Sequence, residues 1–229
     1  MVEKRYQTIL MDVDGTLLDF KATEAQGLRR AFEARGYTLT EEIQAKYEEI
    51  NARLWLAYER GEVERDTVLR TRFVRLFEAV GIDGDGETFE DVYRSYLNEG
   101  HDLVPGADRL LAYLAPRYDL YVVTNGSAAT QARRLRLSGL DRYFKDVFVS
   151  ETIGVQKPLK GFFDYCTARI PGYRGERTLI VGDSLTSDIQ GGNGIGIDTC
   201  WYNPERVENH TQASVTWEIS SLEELMERL

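Results

Sequence analysis

Five short apolar runs constrain this chain most: QTILMD at 7–12, DLYVVT at 119–124, DVFVS at 146–150, TLIVGD at 178–183 and DTCWY at 198–202. Short runs that do not alternate between apolar and polar residues fit strands buried on both faces. Around them lie stretches with helical spacing: Ala107–Leu114, Ala128–Leu137, Gly161–Ile170 and Ser187–Gly191. Strands alternating with helices predict an α/β fold, with a doubly wound, mostly parallel sheet covered on both faces. The C-terminal SLEELMERL reads as a last helix, with Ser221 and Glu224 as its capping box.

Residues 18–99 have a different texture, with helical spacing almost throughout and no convincing strand. Thr23 and Gln26 form a capping box before a helix that ends at Gly36. Helices follow over Glu41–Arg60, over Arg65–Val80 (stopping at Gly81) and around Phe89–Leu97. The expected organisation is an α/β core of residues 1–17 and 100–229, interrupted after its first strand by a helical cap over 18–99.

Composition narrows the class. With 229 residues, 42% of them hydrophobic, the chain can bury a sizeable core and does not resemble a disordered protein. The net charge of −10 argues against a nucleic-acid surface, which needs a basic face. No apolar run approaches the ~20 residues that span a bilayer, and two Asp interrupt the apolar stretch of the opening MVEKRYQTILMDVDGTLL. Cys166 and Cys200 are too few for a disulfide framework. The expectation is a cytoplasmic protein that partners neither nucleic acid nor membrane.

Three clusters could carry chemistry. Asp12 and Asp14, two apart where the first strand ends, bring two carboxylates together at the sheet edge that hosts ligands in open parallel sheets. Thr124 and Asn125 open a strand-to-helix turn, TNGS, whose hydroxyl and backbone N–H groups suit a phosphate; Ser127 reads there as the helix N-cap. Asp183 and Asp188, in GDSLTSD after another apolar strand, could hold a hard cation such as Mg²⁺ through oxygen. A structural reading, in which these are turn and capping residues, accounts for Asp188 in a first helical turn but not for Asp183. Lys157, before Pro158, carries almost no weight alone. There is no GxxxxGK[ST], HExxH, CxxC or GxSxG, and neither His101 nor His210 lies beside a nucleophile in any recognisable motif.

Taken in order, DVDGT at 12–16, Thr124, Lys157 and GDSLTSD at 182–188, with a helical insert after the first, resemble the haloacid dehalogenase superfamily. More narrowly, VTNG, SETIGVQKP and GDSLTSDI resemble the pyrimidine 5′-nucleotidase group within it. Met11 stands where many relatives carry Phe. The resemblance implies a Rossmann-like core and Mg²⁺-dependent phosphomonoester hydrolysis. Asp12 would be the nucleophile forming an aspartyl-phosphate, and Asp14 the general acid and then base. Thr124, Asn125 and Lys157 would bind the phosphoryl group. Asp12, the Asp14 carbonyl and Asp183 would hold the metal, with Asp188 in support.

The implied substrate is a small phosphorylated metabolite, first a pyrimidine nucleoside monophosphate. The alternatives on this scaffold are a sugar-phosphate or phosphoglycolate phosphatase and a phosphosugar mutase. A dehalogenase would need neither the metal nor an acid at position 14. The cap aromatics Phe20, Tyr47, Trp55, Tyr58, Tyr93 and Tyr96 could stack on a base, with Phe20 and Trp55 as the expected contacts. Each is otherwise explained as cap core.

Overall fold

The computed structural model describes residues 5–229. Among these described residues six strands form one sheet: β1 (Thr8–Met11), β2 (Asp119–Thr124), β3 (Asp146–Val149), β4 (Thr178–Gly182), β5 (Asp198–Tyr202) and β6 (Trp217–Ile219). Their order is β3-β2-β1-β4-β5-β6, and every neighbouring pair is parallel. This is the doubly wound order, whose direction reverses between β1 and β4. The five apolar runs supply β1 to β5. β6 has no such run, because the exposed Glu218 sits at its centre, as an edge strand permits.

The helices are α1 (Phe20–Ala34), α2 (Glu41–Glu59), α3 (Arg65–Val80), α4 (Gly86–Leu97), α5 (Ala107–Leu114), α6 (Ala128–Ser138), α7 (Ser150–Ile153), α8 (Lys160–Thr167), α9 (Gln190–Gly194) and α10 (Glu223–Arg228). The chain divides into two compact units. One contains the residues up to Phe20 together with His101–Leu229, and the other is Lys21–Gly100.

In the first unit, the pleat of the strands sends alternate residues to opposite faces. Ile9 and Met11 join Val122, Leu179 and Val181 under α5 and α10. Leu10 joins Val123 and Ile180 under Phe162, Phe163 and Cys166 of α8. Parallel register keeps these rows aligned, with Leu10 opposite both Tyr121 and Ile180. Each such side chain contributes about 1.5–3 kcal/mol on burial, so the core fixes β1 firmly and with it the residues that follow.

The second unit is helical and has an aromatic core. Phe73 lies between Phe89 (ring centroids 4.7 Å apart), Tyr93 (5.0 Å) and Tyr47 (5.2 Å). α2 is capped by Thr40, whose side chain accepts from the Ile43 N–H, and α3 stops at Gly81 in the left-handed region. Asp85 caps α4 by accepting from the N–H groups of Glu87 and Thr88, so this helix starts before Phe89. The expected capping box at Thr23 is corrected. α1 already begins at Phe20, and Thr23 is buried inside it, where a Cβ on Gly100 would lie 2.6 Å from its Oγ1. A buried Thr packed against a glycine cannot also open a helix.

Candidate active site

β1 ends at Met11, and Asp12 stays registered to the sheet through its N–H, which donates to the Val181 carbonyl at 2.9 Å. Val13 is buried, and its carbonyl accepts from the N–H groups of Leu17 and Leu18. Gly15 makes this tight turn at φ +84°, where an L side chain would be strained.

Lys157 is the hub of the site. Its ammonium is buried and donates to Asp12 Oδ1 at 2.7 Å, Asp188 Oδ1 at 2.6 Å and the Val123 carbonyl at 2.8 Å. All three donor positions of the ammonium are therefore used. Burial alone would lower the Lys157 pKa, but the Asp12 and Asp188 carboxylates push it above the usual lysine range. Burial raises the Asp12 pKa well above that of an ordinary carboxylate; Lys157 opposes the shift, and Asp188, Asp183 and Asp14 add to it. Asp188 also accepts from the Ser184 N–H. A Cβ on Gly182 would lie 2.6 Å from the Asp188 Cβ, so glycine makes room for it.

Asp183 follows β4. Thr16 Oγ1 donates to its Oδ1 at 3.3 Å, and the Trp201 indole N–H donates to its carbonyl at 2.8 Å. Burial first, then the Asp188 carboxylate, push its pKa up to about 7. Asp12, Asp183 and Asp188 each offer a carboxylate oxygen, all within 4.8 Å of one another. Three mutually repelling oxygens of this kind fit a hard divalent cation of Mg²⁺ type.

Thr124, at the end of β2, is buried, and its hydroxyl oxygen accepts from the Gly126 N–H at 3.1 Å and from Gln131 Nε2 at 2.9 Å. With both acceptor positions filled, the hydroxyl proton is directed elsewhere, as an anion ligand requires. Asn125 has a different employment. Its amide donates to the Lys157 carbonyl and accepts from the Lys157 N–H, at 3.0 and 2.9 Å, bracing the lysine loop. The Lys157–Pro158 peptide is cis. Ser127 is the N-cap residue of α6, as expected, but its side chain makes no cap bond: Glu151 occupies the helix terminus, accepting from the Ala128 N–H at 2.6 Å and from the Ser127 hydroxyl.

Asp14 does not bond to the lysine hub. Its Oδ1 accepts from Arg134 Nη1, and its Oδ2 accepts from Gln131 Nε2 at 2.7 Å. Sequence reasoning missed Gln131 and Arg134, although a signal was present. In AATQARRLRLS they share a helix face with Leu135, so a glutamine and an arginine occupy inward positions of α6.

Residues 6–196 match the family model of a haloacid dehalogenase-like hydrolase. The chain belongs to the haloacid dehalogenase-like hydrolases. This hydrolase is 50% identical to the putative HAD-hydrolase YfnB of Bacillus subtilis, over 97% of its own length and 94% of the relative's. The crystal structure of YfnB bound to magnesium superposes with a TM-score of 0.94, covering 99% of both chains. The pyrimidine 5′-nucleotidase PynA of Streptococcus pneumoniae is 42% identical, over 98% and 95% of the two chains. The pyrimidine 5′-nucleotidase YjjG of Escherichia coli is 32% identical, over 98% of each. The hydrolase is an enzyme of the phosphoric monoester hydrolase class, and no helix among its described residues is long and apolar enough to cross a membrane.

The aromatic set divides. Tyr47, Tyr58 and Tyr93 are buried in the helical unit and cannot stack on a ligand, a correction to the expectation for the whole set. Trp55 and Tyr96 are partly exposed. Trp55 packs edge-on against Tyr58, and Tyr96 lies under the Arg30 guanidinium at 4.1 Å. Phe20 belongs to the first unit, and its ring lies 5.3 Å from the Arg134 guanidinium.

Proposed function

We propose that this hydrolase is a Mg²⁺-dependent 5′-nucleotidase that removes phosphate from pyrimidine nucleoside monophosphates through an aspartyl-phosphate. The observation that carries the chemistry is Lys157 clamped between Asp12 and Asp188 with Asp183 beside them. The choice of substrate leans on the similarity to PynA and YjjG, which carry that activity in their names.

In the first half-reaction an Asp12 oxygen attacks phosphorus as the ester P–O bond breaks, and Asp14 gives its proton to the departing nucleoside oxygen. In the second, Asp14 takes a proton from water as that water attacks phosphorus, releasing inorganic phosphate and restoring Asp12. Thr124 orients the phosphoryl oxygens, with the backbone N–H groups of Asn125 and its neighbours in the same cradle. Lys157, whose three donors are already taken, binds the phosphoryl group through its positive charge beside Asp12. Asp12, Asp183 and the Asp14 carbonyl would hold Mg²⁺, while Asp188 fixes Lys157. The metal, when bound, supplies positive charge that offsets the carboxylates and the transferring phosphoryl group. Phe20 and Trp55 are the aromatics assigned to the neighbourhood of the base.

The test is phosphate release from uridine, thymidine, adenosine and guanosine monophosphates, hexose phosphates and phosphoglycolate, each with Mg²⁺ and with excess chelator. The pyrimidine nucleotides should give the highest kcat/KM, and chelator should abolish turnover. A preference for a phosphosugar would replace the substrate assignment, and full activity in chelator would remove the metal.

A further inference from the structure

Arg134 and Gln131 lie three residues apart on α6, so they share one face. Both are buried, with Arg134 1% and Gln131 0% exposed. They converge on Asp14, whose side chain remains 24% exposed. Arg134 Nη1 holds Oδ1, Gln131 Nε2 holds Oδ2 at 2.7 Å, and the same Nε2 reaches Thr124 Oγ1 at 2.9 Å. The Gln131 Oε1 has no hydrogen-bond partner among the described residues. Gly126 makes room for this amide, since a Cβ there would lie 2.9 Å from Gln131 Cδ.

A purely structural origin explains this arrangement poorly. An apolar pair at these inward positions would pack α6 at least as well, since replacing buried ion pairs with hydrophobic residues is often neutral or stabilising. The buried, unpartnered amide oxygen is a further cost. Both costs are accounted for if the product is a carboxyl group with fixed rotation. Two of its roughly four lone-pair positions are occupied from the protein side, which leaves the others for the exchanged proton.

We propose that Arg134 and Gln131 are positioning residues that hold Asp14 for proton transfer to the leaving oxygen. The inference rests on the phosphomonoesterase reading above. As the Asp12–P bond forms and the ester P–O bond breaks, the Asp14 proton passes to the nucleoside oxygen. A carboxyl free to rotate would miss that oxygen while leaving attack by Asp12 intact.

This separates two kinds of substrate. A nucleoside is a poor leaving group and needs the proton, whereas 2,4-dinitrophenolate leaves without one. The experiment measures kcat/KM for uridine monophosphate and 2,4-dinitrophenyl phosphate with wild type, Arg134→Met, Arg134→Lys and Gln131→Met, using Asp14→Asn as reference. Arg134→Met should lose about 10²-fold on the nucleotide and less than about tenfold on the aryl ester, in the range of a general-acid contribution. Arg134→Lys should recover part of the nucleotide loss, and Gln131→Met should show the same selectivity more weakly. If Arg134→Met does not fold, selectivity in Gln131→Met decides. Equal losses on both substrates, with wild type active on both, would overturn the positioning role alone. A wild type that releases phosphate from neither would overturn the phosphatase reading and this inference together.

Discussion

Gly15 stands directly against Asp183: a Cβ at Gly15 would lie 2.8 Å from the Asp183 Cγ. The turn after β1 and the carboxylate after β4 therefore approach each other only because residue 15 has no side chain. Its φ of +84° adds a second reason for glycine.

Gly15→Ala combines left-handed strain of about 1–2 kcal/mol with displacement of a carboxylate assigned to the metal. Activity should fall by more than the loss of stability explains, and the Mg²⁺ concentration for half-maximal activity should rise. Metal titration of phosphate release beside a thermal melt checks this. An unchanged Mg²⁺ requirement would separate Asp183 from the metal.

Lys157 compensates two buried carboxylates, Asp12 and Asp188. Lys157→Met should cost about 3–5 kcal/mol in urea denaturation, because uncompensated charges stay buried. Adding Asp188→Asn should recover part of that loss, a non-additivity expected of contacting groups. A cost under about 1 kcal/mol would mean that the three groups are not an ionised cluster.

The helical unit holds a polar network of its own. Arg72 donates to the two Glu90 carboxylate oxygens through Nε and Nη2, each at 2.7 Å, and Glu24 Oε1 accepts from Tyr47 and Asn51. Burial raises the Glu24 pKa from 4.5, with Arg72 and the Tyr47 and Tyr93 hydroxyls opposing. A carboxyl whose pKa is raised on folding costs stability once it ionises. That cost is absent below the unfolded value and complete above the folded one. Glu24→Gln should therefore be the more stable protein at pH 7, with the advantage shrinking as the pH falls to about 4.5. Urea denaturation of both proteins across that range checks it, and a pH-independent difference would contradict it.

The sequence announces β1 to β5 because each is an apolar run at a buried register. It hides β6, whose three residues include a charged one. Asp12, Asp183 and Asp188 are legible as residues, whereas Lys157 gains weight only from the order of the motifs. Folding bonds Lys157 to Asp12 and Asp188 and brings oxygens of the three carboxylates within 4.8 Å of one another. Asn125 and Ser127 have the right residue types for a phosphate cradle and a cap, yet distant partners, Lys157 and Glu151, claim their side chains. Motif reading attends to strand ends, so it passes over Gln131 and Arg134, which act from inside a helix. The aromatics of the helical unit carry no label that separates Tyr93, in its core, from Trp55, partly exposed; helical periodicity places both and only packing distinguishes them.

The central claim is covalent catalysis by Asp12. The enzyme is mixed with Mg²⁺ and uridine monophosphate, quenched during turnover, reduced with borohydride and digested, and residue 12 is read by mass spectrometry. An aspartyl-phosphate is reduced to homoserine, so homoserine should appear at position 12 in turning-over wild type and not in the absence of substrate. Asp12→Asn should show none and lose phosphate release by several powers of ten. Unmodified Asp12 throughout turnover, with Asp12→Asn retaining more than about a tenth of the wild-type rate, would contradict the account.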